Sequence, residues 1–443
     1  MISKAKVVGV SLLIGILLGV IGYLGVEVKA AASSKPLSGE SVYYIVWPYA
    51  MDVLKAQIAK FEEICGIPVV LETFPSGEKY TSLTASKIIA GERADVIRTA
   101  DYNFLSFIEA GWLKPLPQKA IANYLEDLEP AFKKQWYRGG KLWGLPYYTS
   151  AWTPVYNKEI WEEAGIGHYP TTWEELKEQA LKIKALGIFE YPMVLPLIKQ
   201  PYLGYQLDAM VFSEGGHLFD SDLNPILHKP GSVFIEKLQW LIDAMYKWDI
   251  LDPRSTEVGE SEVWKIFAAE KVAMTMCARY RVQQMNNPAV SKVVGKTAVS
   301  LIPGRTHETV SWSRALTMTK VTRNPERTWT LIEFLSGKHE GKYMIPIDFL
   351  KLQGLDSAYK SLWEDPGIIE AINKWGDVRI FREQNLLARG LPEGPWTAKW
   401  FLDYRSEISR ALAREITPQQ AAENIANSWN EGRKEFPDFK PSW

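Results

Sequence analysis

Apolar positions along this chain keep two alternating rhythms. Short β-branched and aromatic runs, Val42-Tyr43-Tyr44-Ile45-Val46-Trp47, Ile67-Pro68-Val69-Val70-Leu71 and Ala94-Asp95-Val96-Ile97, predict strands. Between and after them the period lengthens. Asp52–Ile64 sets Val53, Leu54, Ile58, Phe61 and Ile64 at helical spacing, Thr81–Ala90 reads as a second helix, and Leu105–Ala110 as a third, closed by Gly111. Strand, helix, strand, helix, strand is the order of an α/β layer in which helices cover a mostly parallel sheet.

A second such region begins after Gly144-Leu145-Pro146-Tyr147-Tyr148. Ala151–Tyr156 predicts a strand, and Thr172 caps a helix whose first turn carries Glu174 and Glu175, which suits the helix dipole. Residues 173–186, 232–248 and 260–269 read as helices, Val272–Met276 as a buried strand, Val310–Thr319 as a strand and Pro325–Leu335 as an amphipathic helix. The remainder is mostly helical, over 357–363, 366–374, 397–413 and 418–434. No internal repeat interrupts this order.

The first forty residues stand apart. Ser3-Lys4-Ala5-Lys6 precedes twenty uncharged residues, Val7–Val26, and then the small residues Ala30-Ala31-Ala32-Ser33. This predicts a cleavable export signal ending near Ala32, or an uncleaved membrane anchor, since twenty helical residues span about 30 Å. Either way the remainder works outside the cytoplasm, on the cell surface or in a periplasm. A lipid anchor would need a cysteine directly after the apolar run, and the first is Cys65.

Composition narrows the chemistry. The 51 basic and 52 acidic residues of the 443 leave no excess to neutralise a phosphate backbone, which argues against nucleic-acid binding. Two cysteines exclude a disulfide scaffold and multi-cysteine metal sites. No phosphate loop, dinucleotide fingerprint, HExxH or GxSxG motif occurs, so neither metal nor cofactor is expected. A glycosidase carboxylate pair has no fixed spacing and stays open. The 18 Trp and 20 Tyr are unusual, and rings in that number must be buried or line a recess.

Several segments, in order, resemble the family-1 extracellular solute-binding proteins of ABC importers, the maltose-type sugar receptors. The most specific runs Gly140-Lys141-Leu142-Trp143-Gly144-Leu145-Pro146-Tyr147-Tyr148, Val155-Tyr156-Asn157-Lys158-Glu159, Glu163-Ala164-Gly165-Ile166 and Pro170-Thr171-Thr172-Trp173-Glu174-Glu175-Leu176. Lys60-Phe61-Glu62, Ala94-Asp95-Val96-Ile97, Glu109-Ala110-Gly111, Lys271-Val272-Ala273-Met274 and Asn324-Pro325-Glu326 add to it, so the likeness spans about residues 42–430. The resemblance implies a two-lobe, periplasmic-binding-protein-like α/β fold of type II with an α-rich C-terminus. Its chain would cross between lobes near 148–151, 311–315 and 345–352, giving one lobe of 41–148 with 314–348 and another of 149–313 with 349–443, after a signal or anchor over 1–40. It implies a monomeric receptor, not an enzyme, that closes on a sugar by hinge motion and delivers it to a membrane permease.

The same resemblance, together with the carboxyl-edge rule for α/β sheets, gives candidate ligand contacts. Trp47 ends the first strand. Thr99, Asp101 and Tyr102 follow the third, where Asp101 either faces ligand or caps the helix near Phe104. Tyr148 and Ser150 lie on the first crossing, and Tyr202, Tyr280, Trp312 and Trp396 supply further rings. For each ring, plain core packing is the alternative. At Cys277-Ala278-Arg279 the chain departs from the glycine-rich turn typical of the family. Arg279 and Arg314 either bind an anionic ligand bidentately or pair with acidic side chains. A neutral oligosaccharide is the expected ligand. A secreted carbohydrate hydrolase, a receptor for an acidic or phosphorylated sugar, and a sensor subunit are the alternatives.

Overall fold

The β-branched runs near the start form β1 (Val42–Val46), β2 (Val69–Thr73) and β3 (Val96–Ala100), linked by α1 (Met51–Cys65) and α2 (Glu78–Ile89). β1 pairs in parallel with both neighbours, as helical crossovers allow. α1 turns Val53, Leu54, Ile58 and Phe61 inward and ends at Gly66, which takes the left-handed conformation. The computed structural model describes residues 40–391 and 393–440, so the signal or anchor read over 1–40 lies outside it but for Glu40.

Four more strands, β4 (Gly144–Asn157), β5 (Met193–Val194), β6 (Met274–Ala278) and β7 (Thr309–Thr319), continue a ten-stranded sheet along the path β2-β1-β3-β7-β4-β6-β5. β4 and β7 run antiparallel from Ser311 opposite Ala151 to Thr317 opposite Gly144, with a register shift between Arg314 and Ala315. The shift sits beside Pro146, a residue that sheets tolerate at such irregularities.

These two strands belong to both lobes. Arg314–Met318 of β7 pairs with β3, while Trp152–Tyr156 of β4 pairs with β6. The boundaries drawn from sequence at 148/149 and 313/314 fall inside them. The stretch 345–352, read as a third crossing, is helical. It forms part of Ile345–Gln353, and just after it Thr149 and Asp356 exchange two backbone hydrogen bonds of 2.9 Å. Pro346 at the helix start and the apolar Ile345, Phe349 and Leu350 explain the helix.

The helices that pack on this sheet or on one another include α3 (Asp101–Glu109), α4 (Pro201–Ser213), α5 (Pro325–Ser336), α6 (Ile345–Gln353) and α7 (Thr397–Leu412). α5 covers the first lobe, its Phe334 ring 5.4 Å from Phe61 of α1. α7 lies against α4 so closely that a Cβ on Gly204 would meet Phe401 at 2.7 Å. Cys65 and Cys277 are unpaired and sit in different lobes.

Candidate functional site

The segments leaving β1, β3 and β6 at their carboxyl ends converge with the first turn of α4 and the middle of β4 and β7. They enclose a recess of about 310 Å³, near the lower end of small-molecule sites. The first lobe contributes Trp47, Tyr49, Tyr80 and Tyr102, and the two long strands Tyr148, Trp312 and Arg314. The second lobe contributes Tyr202, Tyr205 and Tyr280.

Local chemistry fixes each ring. Trp47 meets Tyr80 edge-on at 4.9 Å. Arg98 holds their loop: fully buried on β3, it donates to the carbonyls of Trp47 (2.9 Å) and Tyr49 (3.3 Å) and to the Tyr44 hydroxyl (3.2 Å). Tyr80 donates to the Ile45 carbonyl at 3.1 Å and accepts the Arg98 amide at 3.0 Å. Tyr202 and Tyr205, three residues apart on α4, share a helix face, and Pro201 starts that helix. Tyr205 lies parallel to Trp312 at 5.1 Å, and Tyr202 meets Trp312 edge-on at 5.9 Å. The Tyr205 hydroxyl is buried without a hydrogen-bond partner. Burial pushes the phenols of Tyr49, Tyr202, Tyr205 and Tyr280 upward, so each stays a neutral hydroxyl.

The charges near the wall are compensated. Arg314 donates to Asp101 at 2.8 Å and to the Ser313 carbonyl at 2.9 Å, and its guanidinium lies 5.5 Å from the Tyr102 ring. Burial raises the Asp101 carboxyl, opposed by Arg314. Tyr280 donates to Glu260 at 3.3 Å, and Arg281 grips the same carboxylate twice at 2.6 Å. No residue lining the recess is itself a carboxylate.

Of the residues singled out in the sequence, Trp47, Tyr102, Tyr148, Tyr202, Tyr280, Trp312 and Arg314 are brought together on the wall. Thr99, Asp101, Ser150 and Trp396 are not. Thr99 points away by strand alternation and hydrogen-bonds Thr317 at 2.6 Å. Asp101 opens α3 and turns to Arg314 and to the amides of Tyr102 (2.9 Å) and Ser313 (3.2 Å). Ser150, opposite Trp312, is fully buried and too short to reach the surface. Trp396 packs among Trp429, Phe436 and Phe439, a satellite core under the C-terminal helices. Tyr49, Tyr80 and Tyr205 join the wall although the sequence reading does not single them out. Tyr205 carries a signal, its spacing from Tyr202, whereas Tyr49 and Tyr80 carry none.

A larger groove of about 830 Å³ opens among residues 129–138, 212–223 and 385–393 and carries Glu129, Asp220 and Glu393, but among the described residues no Trp or Tyr lines it. Among the described residues no group of three or more His, Cys, Asp or Glu could hold a metal ion, and no helix is long and apolar enough to cross a membrane.

The family model of bacterial extracellular solute-binding proteins matches residues 47–342. A sequence named as a binding protein in Brucella abortus (strain 2308) is 29% identical over 291 residues, 66% of this chain and 69% of that one. An arabinooligosaccharide-binding protein of Halalkalibacterium halodurans is 22% identical over 414 residues, 87% of this chain and 84% of its own. Among solved structures, maltose-bound MalE3 of T. maritima superposes with a TM-score of 0.77 at 22% identity, covering 88% of this chain and 99% of that one, a likeness of fold.

Proposed function

This chain belongs to the bacterial extracellular solute-binding protein family, and on that footing we propose that it captures a small neutral sugar in the tyrosine- and tryptophan-walled recess between its lobes. The family consists of binding proteins that work outside the cytoplasm, and the chain is read as the receptor of an ABC importer, delivering its sugar to a membrane permease. The observation that carries the reading is the wall itself, with rings from both lobes and from both through-strands facing one cavity. Pyranose C–H faces stack on such rings, and each contact that removes about 100 Å² of apolar area contributes roughly 2.5 kcal/mol. Neutral phenols supply donors and acceptors of fixed direction for sugar hydroxyls.

The size of the recess favours a short ligand. Its volume equals that of about ten waters, enough for one or two sugar rings and little more. A neutral ligand is favoured over an anionic one because Arg314 already carries its counter-charge in Asp101. Hydrolysis needs two carboxylates facing the scissile bond, and the lining offers none. The name of the arabinooligosaccharide-binding relative and the maltose in the T. maritima structure point to the same ligand class.

Calorimetric titration with maltose, arabinobiose and their monosaccharides tests the reading. One of them should bind stoichiometrically, near micromolar, unchanged after incubation, and should raise the melting temperature. Release of a cleaved product would overturn it.

A further inference from the structure

Arg279, where the sequence departs from a glycine-rich turn, does not face the recess. It is fully buried behind it and forms an ion pair with Asp356, itself almost fully buried. Its guanidinium lies over the rings of Trp363 (5.2 Å) and Phe381 (4.6 Å) and donates to the Phe381 carbonyl. Asp356 is held in turn: its carboxylate accepts the Ala151 amide at 3.0 Å, and its backbone exchanges two hydrogen bonds with Thr149. One ion pair therefore ties the end of β6 to β4 and to the segment that follows α6.

Each tied segment hands the recess a neighbouring residue. Tyr280 follows Arg279, Leu355 precedes Asp356, and Tyr148 precedes Thr149, and all three line the cavity. The segment after α6 also has little room to shift. Gly354 has φ +66°, and a Cβ there would stand 2.9 Å from the Gln283 Cβ and 3.2 Å from the Tyr280 carbonyl oxygen.

We propose that Arg279 is a positioning residue: through Asp356 it fixes the lobe-to-lobe geometry and thereby aligns Tyr280, Leu355 and Tyr148 on the ligand. The inference rests on the recess being the sugar site. A buried ion pair is weak support for stability, since apolar replacements of similar shape often serve as well, but a pair that joins three segments specifies one arrangement of them.

Arg279→Met alone strands the Asp356 charge and risks unfolding, so the decisive variant is Arg279→Met/Asp356→Asn, which keeps an acceptor for the Ala151 amide. Spin labels at the exposed positions Ile89→Cys and Ile188→Cys, in a Cys65→Ser background, report the distance between lobes without ligand. The wild-type pair should give a narrow distance distribution and the double variant a broad one, while its melting temperature stays within a few degrees. Maltose affinity, or that of whichever sugar binds wild type, should fall about ten- to a hundredfold. A narrow, unchanged distribution overturns the proposal, as does a double variant that fails to fold, which would make the pair a folding element only. If no tested sugar binds wild type while the distribution still broadens, the sugar-site reading fails, the alignment on ligand falls with it, and only the fixing of the lobe geometry by the ion pair stands.

Discussion

Two arginines, one buried and one reaching the recess, flank the passage between the lobes, and they serve different ends. Arg314 on β7 borders the recess, its side chain 12% exposed, and shares Asp101 with backbone amides. Arg279 after β6 is 0% exposed, walled by Trp363 and Phe381, and its carboxylate partner comes from the distant segment after α6. The same chemistry thus tunes the charge of a ligand wall in one place and fastens the frame behind it in the other. Distance from solvent makes the difference, because a buried charge that loses its partner has no water to turn to.

The sharpest way to break this contrast is to neutralise each arginine singly. Arg279→Met should cost about 3–5 kcal/mol, read as a fall in denaturation midpoint at unchanged slope. Arg314→Met should cost about 1–3 kcal/mol, because Asp101 keeps its two amide donors. The reverse order would show that the recess-side pair is the structural one.

Next in size is a pair of tryptophans. Trp312→Ala removes a wall ring and should weaken sugar binding by about 2–3 kcal/mol, near a hundredfold in calorimetry. Trp396→Ala opens the satellite core instead. It should lower the melting temperature while leaving the affinity of the folded fraction alone.

A buried carboxylate with no arginine sharpens the point from the other side. Asp208 of α4 is fully buried, accepts the Tyr404 hydroxyl and leaves its second oxygen unpartnered. Burial pushes its carboxyl up to about 8, with Tyr404 opposing. A raised folded-state value favours the protonated form, so the stability it contributes is complete below about 4 and is lost as pH rises through about 8. The wild-type melting temperature should therefore fall between pH 5 and 9, and Asp208→Asn should flatten that slope and gain a few degrees at pH 9. Smallest of all should be the effect of salt. Affinity for a neutral sugar should hardly change between low and moderate ionic strength, whereas an anionic ligand would lose affinity.

Much of the fold was legible because its helices and strands carry clean periods. The helices at 325–336, 397–412 and 418–434 end within a residue or so of their sequence reading, the first and last with a capping side chain and a proline at the start. The long β4 was underread because Pro146 breaks its pattern at a register shift that only the partner strand reveals. In the site, rings following strands were found by the carboxyl-edge rule, which is a statement about topology. Trp396 was misplaced because an indole prefers a packed pocket as readily as a sugar, and the residues that claimed it, Phe436 and Phe439, lie some forty positions on. Arg98 went unnoticed because its partners are two backbone carbonyls and the distant Tyr44 hydroxyl, which leave no spacing in the sequence.

The insertion of β7 between β3 and β4 also has a cost during synthesis. Val96 meets Met318, so the first sheet keeps a raw edge until more than two hundred further residues have been made. At ribosomal speeds of about 5–20 residues per second that is roughly ten to forty-five seconds in which a nascent chain exposes an unmatched strand. A strand mimic of Thr309–Thr319 supplied in excess during refolding should occupy that edge and trap the chain there.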